Sequence, residues 1–257
     1  MARQQTSPAE ARALLEWQLA MGADEAICEE GIDRFALAAA PPAPLPETTA
    51  APPARGGDAI TSARAAAAAA TTLDELRAAL ESFEGCALKQ TATRLVFADG
   101  TPGARVMLVG EAPGRDEDMH GLPFVGRSGQ LLDRMLAAIG LDRGSVYIAN
   151  IIPWRPPGNR TPTPQEVQVC LPFIQRQIEL AAPETLVFLG GAAASALTGA
   201  TDGIGRLRGR WLGCRIGERE FRALAMFHPA YLLRTPLAKR LAWRDLLALH
   251  RVLDTRS

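Results

Sequence analysis

Between Val106 and Gly126 an apolar run, Val106-Met107-Leu108-Val109, breaks without a spacer into Gly110-Glu111-Ala112-Pro113-Gly114. Glu117, Asp118, Pro123, Phe124, Val125 and Gly126 follow. A short continuous apolar run bounded by turn residues reads as a strand buried on both faces. A Gly/Pro loop with carboxylates and an aromatic directly after such a strand is how an open α/β sheet makes a small-molecule crevice at the carboxyl ends of its strands. This one stretch therefore constrains both the fold and the place where chemistry happens.

The pattern continues down the chain. Strands are expected near 94–97, 106–111, 146–152, 185–190 and 222–228, and helices near 128–139, 164–181, 191–198 and 237–253. Alternation with short loops implies a sheet covered on both faces. The fold class expected is α/β: a three-layer α/β/α sandwich with a central, mostly parallel four-stranded sheet and a helical N-terminal extension. Parallel strands deliver their functional loops to one edge, so 110–126, 150–160, 190–194 and 228–234 should converge. The first loop carries no Gly-x-Gly-x-x-Gly and no Gly-Lys-Ser/Thr phosphate cradle, which argues against a nucleotide-binding domain of another kind.

Upstream, Ser7-Pro8-Ala9-Glu10 has the layout of a helix start, with Leu14, Leu15, Trp17, Leu19 and Met21 following. Six prolines between Leu37 and Asp58 then mark a disordered or semi-extended linker. The expected organisation is a short helical segment over 1–36, an Ala/Pro-rich linker over 37–61 and the main domain over 62–257. A second helix start falls at Thr71 or Thr72, with Glu75 closing the cap. Whether the N-terminal segment docks a protein partner is left open.

Net charge is zero, but residues 1–84 hold 6 Lys+Arg against 13 Asp+Glu while residues 85–257 hold 22 against 15. A basic body with an acidic arm suits a polyanion-binding domain. No apolar run approaches the roughly 18 residues of a membrane span, and the N-terminus lacks a signal layout, so a cytoplasmic protein without membrane contact is expected. Cys28, Cys86, Cys170 and Cys214 are widely spaced and on their own make no metal motif. Cys214 is expected in a turn near Gly213.

Three loops together are specific. Gly110-Glu111-Ala112-Pro113-Gly114 with Glu117-Asp118 and Gly121-Leu122-Pro123-Phe124-Val125-Gly126 resembles the first motif of family 4 uracil-DNA glycosylases. Asn150 with Arg155-Pro156-Pro157-Gly158-Asn159-Arg160 resembles their second signature, and His228-Pro229-Ala230-Tyr231-Leu232-Leu233-Arg234 their third. The similarity runs from about Cys86 to the C-terminus in the right order. It implies a monofunctional DNA glycosylase that flips uracil out of DNA and hydrolyses its N-glycosidic bond, with uracil-containing DNA as partner and free uracil as product. The alternative is a protein that binds uracil or abasic sites in DNA with little turnover.

The resemblance implies roles for individual residues. Ala112, Phe124 and Asn150 would bind uracil, Phe124 by stacking and Asn150 by pairing with the base edge. His228 would donate to the uracil O2 as negative charge builds there. Glu111 is the first choice for the water; Glu117 either shares that work or guards the C5 edge of the base. Pro229 to Arg234 would enter the minor groove, with Leu232 or Leu233 as wedge and Arg234 on a phosphate. Arg155 and Arg160, with Arg206, Arg208 and Arg210, are further phosphate candidates.

Family 4 members hold a four-iron four-sulfur cluster on four cysteines. Here Cys86 and Cys170 match two of those positions, while Lys89 and Trp154 stand at the other two and cannot supply thiolates. No metal or organic cofactor is expected, Cys86 and Cys170 being vestiges of the site.

Overall fold

The computed structural model describes residues 56–254; the expected N-terminal helix, Cys28 and the linker up to residue 55 lie outside them. A six-stranded sheet runs in the order β1-β3-β2-β4-β6-β5. Its strands are β1 (Asp99–Gly100), β2 (Val106–Gly110), β3 (Val146–Asn150), β4 (Thr185–Leu189), β5 (Trp211–Ile216) and β6 (Arg219–Met226). The inner four, β3-β2-β4-β6, are parallel, as expected. β1 and β5 widen the sheet by one antiparallel strand at each edge.

These edges correct the expected four-stranded sheet. Residues 94–97 form no strand. Val96 donates its N–H to the Pro153 carbonyl at 2.9 Å, but a proline has no N–H to return, so no ladder grows there. β5 is a hairpin partner of β6, closed by Gly217-Glu218 with Gly217 at φ 56°, a left-handed conformation that suits glycine. Cys214 lies inside this strand, buried, and not in a turn.

Ten helices are described: α1 (Gly56–Ala69), α2 (Leu73–Ser82), α3 (Leu88–Thr91), α4 (Arg115–His120), α5 (Arg127–Ala137), α6 (Pro164–Ala181), α7 (Gly191–Thr198), α8 (Ile204–Leu207), α9 (Pro229–Arg234) and α10 (Lys239–Asp254). Local chemistry sets their starts. Thr72 caps α2 by accepting the Glu75 N–H at 3.2 Å, while Glu75 accepts the Thr71 N–H. Thr163 and Glu166 form a reciprocal box at α6, with Pro164 in the first turn.

Strand side chains alternate between two cores. Val106 and Leu108 pack with Leu132 and Leu136 of α5 and Leu246 and Leu249 of α10. Met107 and Val109 pack with Leu76 and Leu80 of α2 and Phe173 and Ile174 of α6. α1 belongs to this second layer through Ala59, Ala63 and Ala67. Its Ala59 and Ala63, on either side of residue 62, are both buried core residues. β2 has β3 on one side and β4 on the other, so chain order reverses at its carboxyl end. That crevice holds the candidate site.

Candidate active site

The register of the two central strands places Gly110 directly opposite Asn150. A Cβ on Gly110 would collide with Asn150 Oδ1 and would come within 2.6 Å of Phe124 Cζ. The bare glycine lets the amide and the aromatic ring approach one another. Asn150 is 5% exposed, and its Oδ1 is the one buried side-chain polar atom among the described residues without a hydrogen-bond partner. An unpaired buried acceptor costs roughly 1–3 kcal/mol, so this atom is a strong pointer to a donor that arrives from outside.

The loop after β2 is braced by Glu117. One carboxylate oxygen accepts the Gly114 N–H at 3.1 Å, and the other accepts the N–H groups of Val125 and Gly126 at 3.0 Å each. Three backbone donors thus occupy the carboxylate that the motif placed among the catalytic groups. Its geometry is that of a brace for the segment carrying Phe124. Asp118 ties the same loop to the preceding one, accepting the N–H groups of Thr93 and Arg94 at 2.8 and 3.2 Å.

His228 sits beyond β6 and caps α9. Its Nδ1 accepts the Ala230 N–H at 3.1 Å, so the neutral ring carries its proton on Nε2. Burial, and secondarily the Arg234 cation, lower its pKa to about 4 against a smaller opposing pull from Glu117. The imidazole is therefore an uncharged N–H donor at neutral pH. Its ring centroid lies 5.5 Å from that of Phe124. Glu111 is half-buried, and burial pushes its carboxyl above the usual carboxylate value.

Glu111, Ala112, Glu117, Phe124, Asn150 and His228 all line one cavity of about 510 Å³. Tyr231 and Ser128, which the motifs did not single out, line it too. Tyr231 stands inside the third motif, but nothing local marks which of its side chains turns inward.

The residues expected on DNA separate. Arg234 and Arg160 reach the cavity wall and Arg155 does not. Arg160 is forked onto Glu166, with N–O distances of 2.9 and 2.6 Å, and Arg155 Nε donates to Asn159 Oδ1 at 2.7 Å. Arg208 pairs with the buried Asp245 and lies over the Phe227 ring, which gives it a structural role in place of the expected phosphate contact. Pro229 and Leu232 are buried, Leu232 at 1% exposure, and Leu233 is half-buried against the same core. Leu232 is therefore not a projecting wedge. The most exposed large apolar side chain among the described residues is Leu237, 82% exposed in the turn Pro236–Ala238 that follows α9.

The sulfur groups do not match a four-thiolate cluster among the described residues. The Cys86 and Cys170 sulfurs are 3.9 Å apart and buried. The hydrogen bond between them and burial push the Cys170 thiol well up, while the same bond lowers Cys86. Lys89 turns to the Glu84 carboxylate and the Glu81 carbonyl, and Trp154 is packed in the core. Cys214 donates to the Leu197 carbonyl, and burial raises its pKa to about 11. No group of three or more His, Cys, Asp or Glu suited to a metal ion occurs among the described residues.

A family model described as the uracil DNA glycosylase superfamily matches residues 97–247. A type-4 uracil-DNA glycosylase of Archaeoglobus fulgidus is 41% identical over 169 residues, 64% of this chain and 85% of that protein. The Thermotoga maritima protein of the same name is 42% identical over 153 residues, 58% and 77% of the two chains. The Pyrobaculum aerophilum one is 36% identical over 178 residues, 68% and 91%. A match across the sheet and all three loops, together with relatives covered over most of their length, establishes that this chain belongs to the uracil DNA glycosylase superfamily.

Proposed function

We propose that this protein is a uracil-DNA glycosylase that flips uracil from DNA and hydrolyses its N-glycosidic bond, as a step of base excision repair. The observation that carries the reading is the unpaired, buried Oδ1 of Asn150 at the floor of the cavity. Uracil offers an N–H at N3 to that oxygen and a carbonyl at O4 to the amide N–H. Cytosine offers an acceptor and a donor at the same two positions, and would leave buried groups unpaired.

The other residues fit the same substrate. Phe124 stacks on the flipped base. The His228 Nε2–H donates to the uracil O2, where negative charge collects as the bond from N1 to the sugar breaks; a donor aimed at a developing oxyanion contributes roughly 3–4 kcal/mol. Glu111 faces the sugar, stabilises its developing positive charge, and accepts the proton of the water whose oxygen bonds to C1′. Glu117 holds the loop. Arg234 meets a phosphate, and Leu237 fills the gap left in the duplex.

The chain works without an iron-sulfur cluster in this reading. Two thiols are supplied where four are needed, Lys89 is engaged with Glu84, and Trp154 fills its position with apolar volume. The decisive experiment incubates the purified protein with a uracil-containing oligonucleotide, cleaves abasic sites with alkali and measures iron on the same sample. Many strands cut per protein molecule with iron far below one equivalent is the expected result. Tight stoichiometric binding without uracil release would favour the DNA-binding alternative, and stoichiometric iron would refute the cluster-free reading.

A further inference from the structure

We infer that Arg143 is a positioning residue for base recognition: its guanidinium holds both peptide planes that flank Phe124, and so sets the ring on which the base stacks. The inference rests on the uracil-pocket reading above. Arg143 lies in the turn before β3, nineteen residues after Phe124, and does not line the cavity.

Phe124 has φ 55°, in the left-handed region that a bulky side chain rarely adopts. Such a conformation persists only where the surroundings over-determine it. Arg143 does this from the carbonyl side. Its Nη1 and Nη2 both donate to the Pro123 carbonyl, at 3.3 and 3.2 Å, and Nη2 also donates to the Phe124 carbonyl. The Pro123 carbonyl belongs to the peptide plane that defines φ of Phe124, and the Phe124 carbonyl to the plane that defines ψ. The second plane is held at its other end as well, because its N–H, that of Val125, donates to Glu117.

The guanidinium is itself fixed. Nη1 pairs with Asp99, and Nε donates to Asp133 Oδ1 at 2.9 Å. All five of its N–H donors are therefore engaged, three on the Phe124 segment and two on carboxylates. Gly129 completes the seat, since a Cβ there would run into the Phe124 carbonyl. A lysine could keep an ion pair with one carboxylate, but a compact ammonium cannot span both carbonyls and both acids.

A residue that acts only through Phe124 loses its effect when the ring is gone. The test is a double-mutant cycle on Arg143→Lys and Phe124→Ala, reading the Kd of free uracil, kcat and KM on a uracil oligonucleotide, and Tm. Arg143→Lys should weaken uracil binding and kcat/KM by about tenfold with Tm within a few degrees of wild type. In the Phe124→Ala background the same substitution should change uracil binding by less than about twofold. Arg143→Gln enters the same cycle should the lysine variant not fold. Equal losses in the two backgrounds, wild-type uracil binding by Arg143→Lys, or no effect of Phe124→Ala on uracil binding would overturn the inference while wild-type turnover leaves the pocket reading standing. A wild-type protein that neither binds nor releases uracil would overturn both.

Discussion

Two titratable groups in the cavity are pushed in opposite directions by burial. Glu111 is raised from its ordinary carboxylate value, and His228 is lowered to about 4. At neutral pH this leaves a carboxylate that can take a proton and an uncharged imidazole that can donate a hydrogen bond, the division of labour the proposed hydrolysis needs. As pH falls, Glu111 takes up its proton and loses its role, whereas His228 remains a donor in either protonation state. The acid limb of kcat/KM is therefore expected to follow Glu111. Glu111→Gln should lower kcat by about 10²–10⁴-fold and flatten that acid limb; a limb that survives in the variant would assign it to another group. Asn150 and His228 were legible as pocket residues because each ends or directly follows an apolar run, and strand ends converge; Phe124, in the loop well past β2, was legible only through the motif it belongs to. Glu117 was legible as a pocket residue but not as a brace. Nothing in its own neighbourhood says that Gly114, Val125 and Gly126 will engage both of its oxygens.

Among the elements, the short helix α9 shows how a motif can be placed correctly while its side chains are assigned wrongly. Residues 228–234 were expected as a loop, and the helix that forms there starts where His228 caps it and Pro229 sits in its first turn. Which leucine projects was not readable, because six residues are too few to show a period. Leu232 turns into the core beside Leu131 and Leu246, while Leu237 stands out in the following turn. Leu232→Ala is expected to destabilise the fold by about 2–5 kcal/mol, read as a loss of Tm. Leu237→Ala should leave Tm unchanged and slow uracil release from duplex DNA more than from single strands, where there is no stack to hold open. Equal rates for the Leu237 variant and wild type on duplex DNA would remove it from the DNA interface. The strands divide in the same way. β2, β3 and β4 are five-residue runs buried throughout and announce themselves. β5 is buried on one face only and carries Gly213 and Arg215, so its identity depends on pairing with β6.

For the molecule as a whole, the acidic and basic halves of the sequence fall on different parts of the chain. The described unit begins at α1, whose Ala59, Ala63 and Ala67 are buried with α2 and α6 side chains. Removing residues 1–55 should therefore leave Tm of the remaining protein and its rate of uracil release at wild-type values. Removing residues 1–60 should lower Tm, because it strips the first turn and Ala59 from the core. A truncation at 55 that abolishes uracil release would show that the acidic arm takes part in the reaction. No helix among the described residues is long and apolar enough to cross a membrane. The sequence by itself determined the α/β class, the parallel inner sheet, the limits of the longer helices after β2 to within about two residues and the segments that carry the site. Those features follow from periodicity, caps and turn residues acting over a few neighbouring positions. Only the tertiary structure decided that Glu117 is a brace, that Leu232 is core, that Arg208 serves Asp245, and that Arg143 grips the backbone of Phe124. Each of these depends on which distant groups meet and on how many hydrogen bonds each can make, and no local pattern in a chain records that.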